Sequence, residues 1–317
     1  MKLIIQIPCF NEEEALPQTL NELPRTVEGF DVVEWLIIDD GSTDNTVKVA
    51  KEHGVDHVVS NRCNQGLAKT FMVGLDACLR LGADVIVNTD ADNQYNAADI
   101  PKLTKPIISS NIEIVVGERP ISEIEHFSIT KKILQKTGSW VVRKISNTNI
   151  VDAPSGFRAF SKEAAQRLMV FNDYTYTLET IIQAGQKNMA ITSVPIRVNG
   201  DLRPSRLVKS IPSYIVRSLF TMVRIFMIYR PFSFFSAIGS FFTICGALIG
   251  IRFFYFYLNG GGDGHVQSLI LAGVLIGMGV QTILVAFVAD LLAANRKLLE
   301  DIKFCIKHIQ NFEEIDK

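Results

Sequence analysis

In residues 1–210, short apolar runs typical of strands alternate with segments whose apolar residues recur at helical spacing. Short apolar runs that end in polar or turn residues are typical of buried strands, and examples are LIIQIP at 3–8, WLIIDD at 35–40 and DVIVNTD at 84–90. The stretches between such runs carry apolar residues at helical spacing, as in AKTFMVGLDACLRLG at 68–82. This alternation predicts an α/β fold with a mainly parallel sheet flanked by helices on both faces.

The remaining elements of this half follow the same pattern. Strands are predicted at HVVS (57–60), IEIVVGER (112–119) and NMAITSVPIRV (188–198). Helices are predicted in NEEEALPQTLNEL, STDNTVKVAKEHG, AADIPKLTKPIIS and ITKKILQKTGSWVVRKIS, with Asn96 as the N-cap of the third. We expect VDAPSGFRAF to be a loop, followed by a further helix from Lys162.

The pattern changes after about residue 211. Residues 212–232 set Arg217, Arg224 and Arg230 among large apolar residues, which indicates a helix in a membrane interface, with a packed surface helix as the alternative. The expected domains are therefore a first domain at 1–210 and an interfacial amphipathic helix at 211–230.

Two long apolar segments come next, at 231–258 and 266–292. Each is long enough to cross a hydrocarbon core of about 30 Å, and the short loop NGGGDGH between them predicts a hairpin. Lysine and arginine lie before and after the hairpin but not in its loop, so the positive-inside rule predicts that the first domain, both termini and a tail at 293–317 are cytoplasmic. Only Arg252, Asp263 and Asp290 are charged between 231 and 292.

Net charge, cysteine spacing and the N-terminal sequence argue against several classes of protein. The formal net charge is -1, which gives no basic field for nucleic acid. The five cysteines form no CxxC pair, and this favours reduced thiols and gives no zinc signature. The N-terminus lacks the long apolar region of a signal peptide.

Three acidic loops, NEEE, DDGSTDNT and DADNQ, follow three of the predicted strands. The carboxyl ends of parallel strands lie along one edge of a sheet, so these acids are expected to converge on one site. Asp90 and Asp92 carry hard oxygen ligands at the close spacing that suits Mg²⁺ or Mn²⁺ bound together with a diphosphate. A capping turn is the alternative, and it accounts for Asn96 but not for two neighbouring acids.

The motifs IPCFNEEEALPQTL, IIDDGSTDNT, NQGLAKTFMVGL, TDADNQY and DAPSGFRAF, in this order, resemble the family-2 glycosyltransferases with the A-type nucleotide-sugar fold. The two apolar segments and the SGFR sequence make the chain similar to the polyprenyl-phosphate sugar transferases within that family. This resemblance implies a membrane-bound hexosyltransferase that uses a nucleotide diphosphate sugar, a polyprenyl phosphate acceptor and Mg²⁺ or Mn²⁺. It also implies a homo-oligomer, often a tetramer.

The resemblance assigns roles to individual residues. The implied nucleotide pocket comprises Pro8, Phe10, Glu12, Asp39 and Asp40, and the implied metal and diphosphate motif comprises Asp90, Asp92 and Gln94. Asp152 matches an acid at the sugar site, with an Asx turn as the alternative, while Arg119 and Lys131 match positions that hold the lipid phosphate. The segment NGDLRPSRL departs from the family pattern, although Arg203 and Arg206 are suited to gripping a diphosphate.

These residues imply one displacement with inversion at the anomeric carbon. A processive polysaccharide synthase is disfavoured, because Trp35 and Trp140 do not lie in a Gln-x-x-Arg-Trp motif. An inactive membrane scaffold is disfavoured because Asp40, Asp90, Asp92 and Asp152 are all present. The sequence leaves the donor open among UDP-glucose, GDP-mannose and UDP-N-acetylglucosamine.

Overall fold

The computed structural model describes residues 1–120, 129–170, 176–200, 226–260 and 265–315, together with positions 216, 220, 223 and 224. In the helical stretches 129–135 and 307–315, and at position 303, only the backbone is described. The chain divides into two compact units, residues 1–218 with 303–317 and residues 219–302. Lys131 has no described side chain, and Arg203, Arg206 and most of the predicted interfacial helix at 211–230 lie outside the described residues.

The first unit is built on a seven-stranded sheet, which confirms the predicted α/β class. The strands are β1 (Lys2–Cys9), β2 (Val32–Asp39), β3 (His57–Ser60), β4 (Val85–Asn88), β5 (Ile114–Glu118), β6 (Arg158–Ser161) and β7 (Ile191–Pro195). Their order across the sheet is β3-β2-β1-β4-β6-β5-β7. All pairs are parallel except those that β6 makes with β4 and β5.

Seven α-helices of this unit are described, and most of them were predicted. They are α1 (Leu16–Glu22), α2 (Thr46–Glu52), α3 (Leu67–Arg80), α4 (Ile100–Ser110), α5 (Ile129–Ser146), α6 (Lys162–Arg167) and α7 (Thr177–Gln186). Asn96 caps the 3₁₀ turn Ala97–Asp99 that leads into α4, as predicted, and its side chain accepts from the N–H of Ala98. The sequence interpretation did not identify α7.

The central strands are buried on both faces. Leu3, Ile5 and Ile7 of β1 join the hydrophobic core that α1 and α4 cover. On the other face, α3 packs so closely that a Cβ on Gly74 would lie 2.5 Å from Gln6 Oε1 and 2.8 Å from Ile38 Cδ1. Glycine at this position therefore allows the helix to reach the sheet.

The predicted loop at 151–160 is partly wrong, because Arg158–Ser161 forms β6. The preceding Pro and Gly indicate a turn, and four residues carry too little local pattern to predict a strand. Pairing on both sides, with β4 and β5, stabilises β6. Because β6 is antiparallel, the loop that precedes it lies at the same edge of the sheet as the carboxyl ends of β1, β2, β4 and β5.

The second unit contains α8 (Pro231–Leu258) and the beginning of α9 (Val266–Ile315), two long apolar helices that pack together. Gly246 and Gly279 allow close approach, since a Cβ on Gly279 would lie 2.7 Å from the carbonyl oxygen of Gly239. Both helices are long and apolar enough to cross a membrane. The second apolar stretch is continuous with the predicted tail in one helix that ends at Ile315.

Candidate active site

The loops after β1 and β2 are hydrogen-bonded to each other. The N–H of Asn11 donates to Ser42 Oγ at 2.9 Å. Asp44 accepts from the N–H of Glu13 at 3.2 Å, and Glu13 Oε2 accepts from the N–H of Asn45 at 2.9 Å. Two acids of the predicted cluster therefore hold the shape of these loops.

Asp40 is buried and organises the next loop. Its Oδ1 accepts from Asn61 Nδ2 and from the N–H of Gln65, and its Oδ2 accepts from the N–H of Gly66, each at 2.9 Å. The neighbouring Asp39 is also buried and accepts a backbone N–H in the turn after β2 at 2.9 Å. Both acids shape the wall of the predicted nucleotide pocket.

The other predicted pocket residues lie at the end of β1. Pro8 is buried in the strand, and Phe10 follows it with 39% of its surface exposed. The N–H of Glu12 donates to Thr46 Oγ1 at 2.8 Å, and the charge of Glu12 raises the pKa of Asp90. The loop after β1 thus lies close enough to Asp90 for their charges to interact.

Asp90 and Asp92 follow β4 and are half-buried. Burial raises the pKa of Asp90, and the Asp92 carboxylate raises it further, to about 7. The N–H of Gln94 donates to Asp92 Oδ1 at 3.2 Å. The raised pKa of Asp90 beside a second carboxylate indicates a site that is short of positive charge.

Gly156, in the loop before β6, leaves little space between its backbone and the Asp90 carboxylate. A Cβ on Gly156 would lie 3.1 Å from both carboxylate oxygens of Asp90 and from the Tyr176 hydroxyl. The N–H of Gly156 donates to the Tyr95 hydroxyl at 2.9 Å, and its carbonyl accepts from Asn88 Nδ2 at 2.9 Å. Side chains from β4 and the Asp90 loop thus fix this glycine against Asp90.

Arg119 and Asp152 form a buried bidentate pair. Arg119 Nε lies 2.7 Å from Asp152 Oδ2 and Nη2 lies 3.0 Å from Oδ1, while the N–H of Arg119 also donates to Oδ2 at 3.2 Å. Arg119 is 8% exposed and Asp152 is fully buried. The positive charge of Arg119 also acts to lower the pKa of Asp90. The two residues that the family resemblance gave separate roles are therefore direct partners.

Arg158 stabilises the loop before β6 through hydrogen bonds to its backbone carbonyls. Its guanidinium is fully buried and donates to the carbonyls of Ser155 (2.8 Å), Ala153 (2.7 Å) and Thr177 (2.8 Å). Burial lowers the pKa of Arg158 to about 10, so it remains charged near neutral pH. The arginine thereby connects the loop that carries Asp152 to the start of α7.

The chain after β7 is attached to the Asp90 loop through Asn199. Its N–H donates to the carbonyl of Gln94 at 2.9 Å, and its Nδ2 donates to the carbonyl of Asn93 at 3.0 Å. Asn96 Nδ2 donates to Asn199 Oδ1 at 3.2 Å. The start of the divergent NGDLRPSRL segment is therefore held beside the predicted metal motif.

The donor set fits Mg²⁺ or Mn²⁺ at Asp90 and Asp92. Among the residues that the structure describes, no three His, Cys, Asp or Glu side chains form a metal cluster. A site with two carboxylates is what Mg²⁺ uses when it keeps waters and substrate phosphates as its other ligands. A divalent cation would also supply the positive charge that this acidic pair lacks.

The structure brings some predicted residues together and adds others. It places Asp90 beside Asp92 and Arg119 against Asp152. The sequence interpretation missed Tyr95, Arg158, Tyr176 and Asn199, and it assigned no role to Gly156. The SGFR motif contained a signal for Gly156, because a glycine between a turn and a strand often marks close backbone approach.

Comparison with known proteins gives consistent results. Residues 4–169 match the family described as Glycosyl transferase family 2. The UDP-N-acetylglucosamine–dolichyl-phosphate N-acetylglucosaminyltransferase of Methanococcus voltae is 31% identical over 60% of this chain and 83% of its own length. The undecaprenyl-phosphate mannosyltransferase of Micrococcus luteus is 27% identical over 62% of this chain and 83% of its own.

A solved structure has a similar fold. Glucosyl-3-phosphoglycerate synthase from Mycobacterium tuberculosis, in complex with Mn²⁺, UDP-glucose and phosphoglyceric acid, has a TM-score of 0.56 and 20% identity. The similarity covers 70% of this chain and 79% of that one. With the family match extending over more than half of its length, the chain belongs to the family-2 glycosyltransferases, and its distant homologues are polyprenyl-phosphate sugar transferases.

Proposed function

We propose that this glycosyltransferase moves a single hexose from a nucleotide diphosphate sugar, UDP-glucose or GDP-mannose, to a polyprenyl phosphate on the cytoplasmic face of a membrane. One observation carries the proposal. The Asp90–Asp92 pair and the buried Arg119–Asp152 pair lie at the same edge of the sheet and interact through their charges. Such a transfer needs carboxylates that bind a divalent metal ion and a positively charged side chain that binds the acceptor phosphate.

The acidic side of the site is proposed to hold the donor. Asp90, Asp92 and Gln94 would hold Mg²⁺ or Mn²⁺ together with the diphosphate. When bound, the cation stabilises the negative charge that develops on the leaving nucleotide diphosphate. The remaining proposed donor contacts are Pro8, Phe10, Glu12, Asp39 and Asp40 around the nucleotide, and Arg203 and Arg206 on its phosphates.

The basic side is proposed to hold the acceptor. Arg119 uses Nε and Nη2 on Asp152, and its remaining nitrogen, Nη1, is the donor that we assign to the lipid phosphate. Lys131, on α5, is assigned to the same phosphate. Asp152 orients Arg119 and is also proposed to act at the sugar site.

The reaction is proposed to be a single displacement. A phosphate oxygen of the lipid bonds to the anomeric carbon as the bond to the nucleotide diphosphate breaks, and the electron pair leaves with that diphosphate. The lipid phosphate is already ionised near neutral pH, so positioning and charge stabilisation supply most of the catalysis. An α-linked donor would give a β-linked sugar phosphate.

The second unit is proposed to anchor the enzyme. We propose that α8 and the apolar part of α9 cross the membrane as a hairpin, with residues 1–210 as the catalytic domain, 211–230 in the interface and both termini cytoplasmic. Arg224 and Arg230 precede the hairpin and Arg296 and Lys297 follow it, in agreement with the positive-inside rule. Assembly as a homo-oligomer, such as a tetramer, is proposed and is testable by cross-linking in detergent.

A donor panel tests the proposal. The full chain in proteoliposomes that contain polyprenyl phosphate would be assayed with radiolabelled UDP-glucose, GDP-mannose and UDP-N-acetylglucosamine, with and without Mn²⁺. We expect one donor to label the lipid in a metal-dependent reaction, and NMR of the product to show an inverted anomeric centre. A polymeric product would indicate a processive synthase, and no transfer from any donor would support a scaffold.

A further inference from the structure

Asn199, in the chain after β7, binds two consecutive backbone carbonyls of the Asp90 loop (residues 90–95). Its N–H donates to the carbonyl of Gln94 at 2.9 Å, and its Nδ2 donates to the carbonyl of Asn93 at 3.0 Å. Both carbonyls belong to residues that directly follow Asp92. The catalytic proposal gives Asn199 no role, although Asp92 and Gln94 are two of the proposed metal ligands.

The neighbours of Asn199 determine which way its amide points. Asn96 Oδ1 accepts from the N–H of Ala98 at 3.1 Å, so Asn96 Nδ2 points elsewhere and donates to Asn199 Oδ1 at 3.2 Å. The oxygens at Asn199 Nδ2 include the carbonyl of Asn93 and, at 3.3 Å, Glu22 Oε2. A reversed amide would place nitrogen against nitrogen and oxygen against oxygen. Asn199 therefore has one favourable orientation.

Glu22, at the end of α1, connects the two asparagines. Its Oε1 accepts from Asn93 Nδ2 at 2.9 Å, while its Oε2 accepts from Asn199 Nδ2. We refer to Glu22, Asn93 and Asn199 as the Asn199 clasp. The clasp holds Asn93 at two points, because Glu22 binds its side chain and Asn199 binds its carbonyl.

The clasp is connected to Asp92 by a single peptide group. The carbonyl of Asn93 and the N–H of Gln94 belong to the same planar unit, so fixing one of them also fixes the other. Asn199 Nδ2 binds the carbonyl, and the N–H donates to Asp92 Oδ1 at 3.2 Å. Asn93 itself has a φ of 55°, in the left-handed region that few residues with side chains adopt. A rotation at Asn93 would therefore remove a hydrogen bond from the Asp92 carboxylate.

We propose that Asn199 is a positioning residue for sugar transfer, which acts through the Asn93–Gln94 peptide group to orient the Asp92 carboxylate for a divalent cation. Groups that hydrogen-bond to metal ligands fix the orientation of those ligands and affect the affinity for the metal. The inference rests on the proposed function, because the cation is part of that proposal.

Other contacts attach this part of the chain to the fold. Arg197 Nη2 lies 2.8 Å from Asp99 Oδ1, and Asp99 is the residue before α4. The N–H of Ile196 donates to the carbonyl of Glu118 at 3.0 Å. Neither contact involves the Asn199 clasp. Loss of the Asn199 side chain should therefore loosen the Asp90 loop and leave the chain after β7 attached.

Two variants that lie two residues apart separate these roles. The full chain in detergent would be titrated with Mn²⁺ in the presence of UDP or GDP and followed by EPR, and its unfolding would be followed in denaturant. Asn199→Ala should weaken Mn²⁺ binding by about tenfold and change the denaturant midpoint little. Arg197→Gln should do the opposite, because it removes a partner of a buried carboxylate. Asn21→Ala, at an exposed position of α1, should change neither quantity.

Reversing the polarity of one contact tests the clasp itself. Asn199→Asp places a second carboxylate against Glu22, so it should weaken Mn²⁺ binding at least as much as Asn199→Ala. Adding Glu22→Gln provides an amide that donates to position 199 and still accepts from Asn93. The double variant should recover part of the lost affinity, since the carbonyl of Asn93 still lacks its donor. Additive losses in the double variant would overturn the inference.

Hydrogen exchange in the metal-free chain reports the loop without the cation. Peptides that cover residues 90–96 should exchange faster in Asn199→Ala than in the parent. Exchange equal to that of the parent would overturn the inference, and so would unchanged Mn²⁺ binding. A fall in stability as large as that of Arg197→Gln would also overturn it, because Asn199 would then act on the fold.

Failure of the inference is separable from failure of the proposed function, because EPR reports the cation and the donor panel reports the chemistry. Mn²⁺ binding that depends on Asn199, without transfer from any donor, would retain the inference and reject the function. Metal-dependent transfer with Mn²⁺ binding that Asn199→Ala does not change would do the reverse. A parent chain that binds no Mn²⁺ would overturn the inference together with the metal assignment.

Discussion

Asp152 accepts three hydrogen bonds from Arg119, one from its backbone N–H and two from its guanidinium, in a pair that is almost completely buried. The two opposite charges compensate each other inside the protein. Neither residue is therefore an independent catalytic group, because removing one leaves the other as a buried and unpaired charge.

A double-mutant cycle tests this dependence. Asp152→Asn alone should lower the free energy of unfolding by about 3–5 kcal/mol, since it leaves the Arg119 guanidinium without a counter-charge. Arg119→Met alone should cost a similar amount. The double variant should recover much of the stability and none of the transferase activity. Denaturant titration of the full chain in detergent measures the stability, and the transfer assay with radiolabelled donors measures the activity.

An exposed ion pair is the control for this cycle. Lys48 and Glu52 on α2 lie 3.9 Å apart with most of both side chains in water. The same cycle there should give a coupling of less than about 1 kcal/mol. Additive effects at Arg119 and Asp152 would contradict the pairing.

Asp92→Asn should separate metal binding from folding. The substitution removes one proposed ligand and also the charge that, after burial, does most to raise the pKa of Asp90. We expect a loss of transfer of about a hundredfold or more. The metal-free variant should be at least as stable as the parent, because two like charges no longer face each other. Mn²⁺ binding followed by EPR should weaken in parallel, and unchanged turnover would reject the metal assignment.

The parts of this fold that could be predicted are those whose cause lies in adjacent residues. The apolar runs of β1, β2 and β4 and the helical spacing of α5 are local, and so is the cap at Asn96. β6 depends on pairing with strands more than forty residues away along the chain, as its register with β4 and β5 shows. No local pattern could have revealed it.

The site could be predicted in its residue types but not in its connections. Arg119 and Asp152 were both selected from the sequence, yet their pairing spans 33 positions and depends on β5 and β6 being neighbours. Arg158 binds backbone carbonyls, which every residue carries, so nothing in the sequence indicates its partners. The partners of Asp40 could not be predicted either, because two of the three groups that donate hydrogen bonds to its carboxylate are backbone N–H groups.

Gly156→Ala should disturb Asp90 without unfolding the protein. The new methyl group would lie 3.1 Å from both Asp90 oxygens and the Tyr176 hydroxyl, closer than most Cβ contacts allow. We expect Mn²⁺ affinity to fall by roughly tenfold or more, with a loss of about 1–3 kcal/mol in stability. EPR and thermal unfolding measure the two effects. Gly277→Ala is the control, because a Cβ there meets nothing within 4 Å, and equal effects at both positions would contradict the contact.

Asp99 should make the stability of the first unit depend on pH in the acidic range. Burial acts to raise the pKa of Asp99, but hydrogen bonds from Arg197 and Lys102 outweigh it and lower the pKa to about 2. The Arg197 Nη2 and Lys102 Nζ atoms each lie 2.8 Å from Asp99 Oδ1, and the carboxylate is fully buried.

Because the folded pKa lies below the unfolded value of 3.8, the carboxylate stabilises the fold by about 2 kcal/mol above pH 4–5, and this is lost as the pH falls through 2. Asp99→Asn should therefore destabilise the protein at pH 6, and the difference from the parent should shrink progressively towards pH 2. Denaturant titrations of the full chain in detergent across this range measure that difference. Glu28→Gln makes the same chemical change at an exposed position and should cost little at any pH. A pH-independent loss in Asp99→Asn would show that packing, and not the ionised carboxylate, stabilises the link between α4 and the chain after β7.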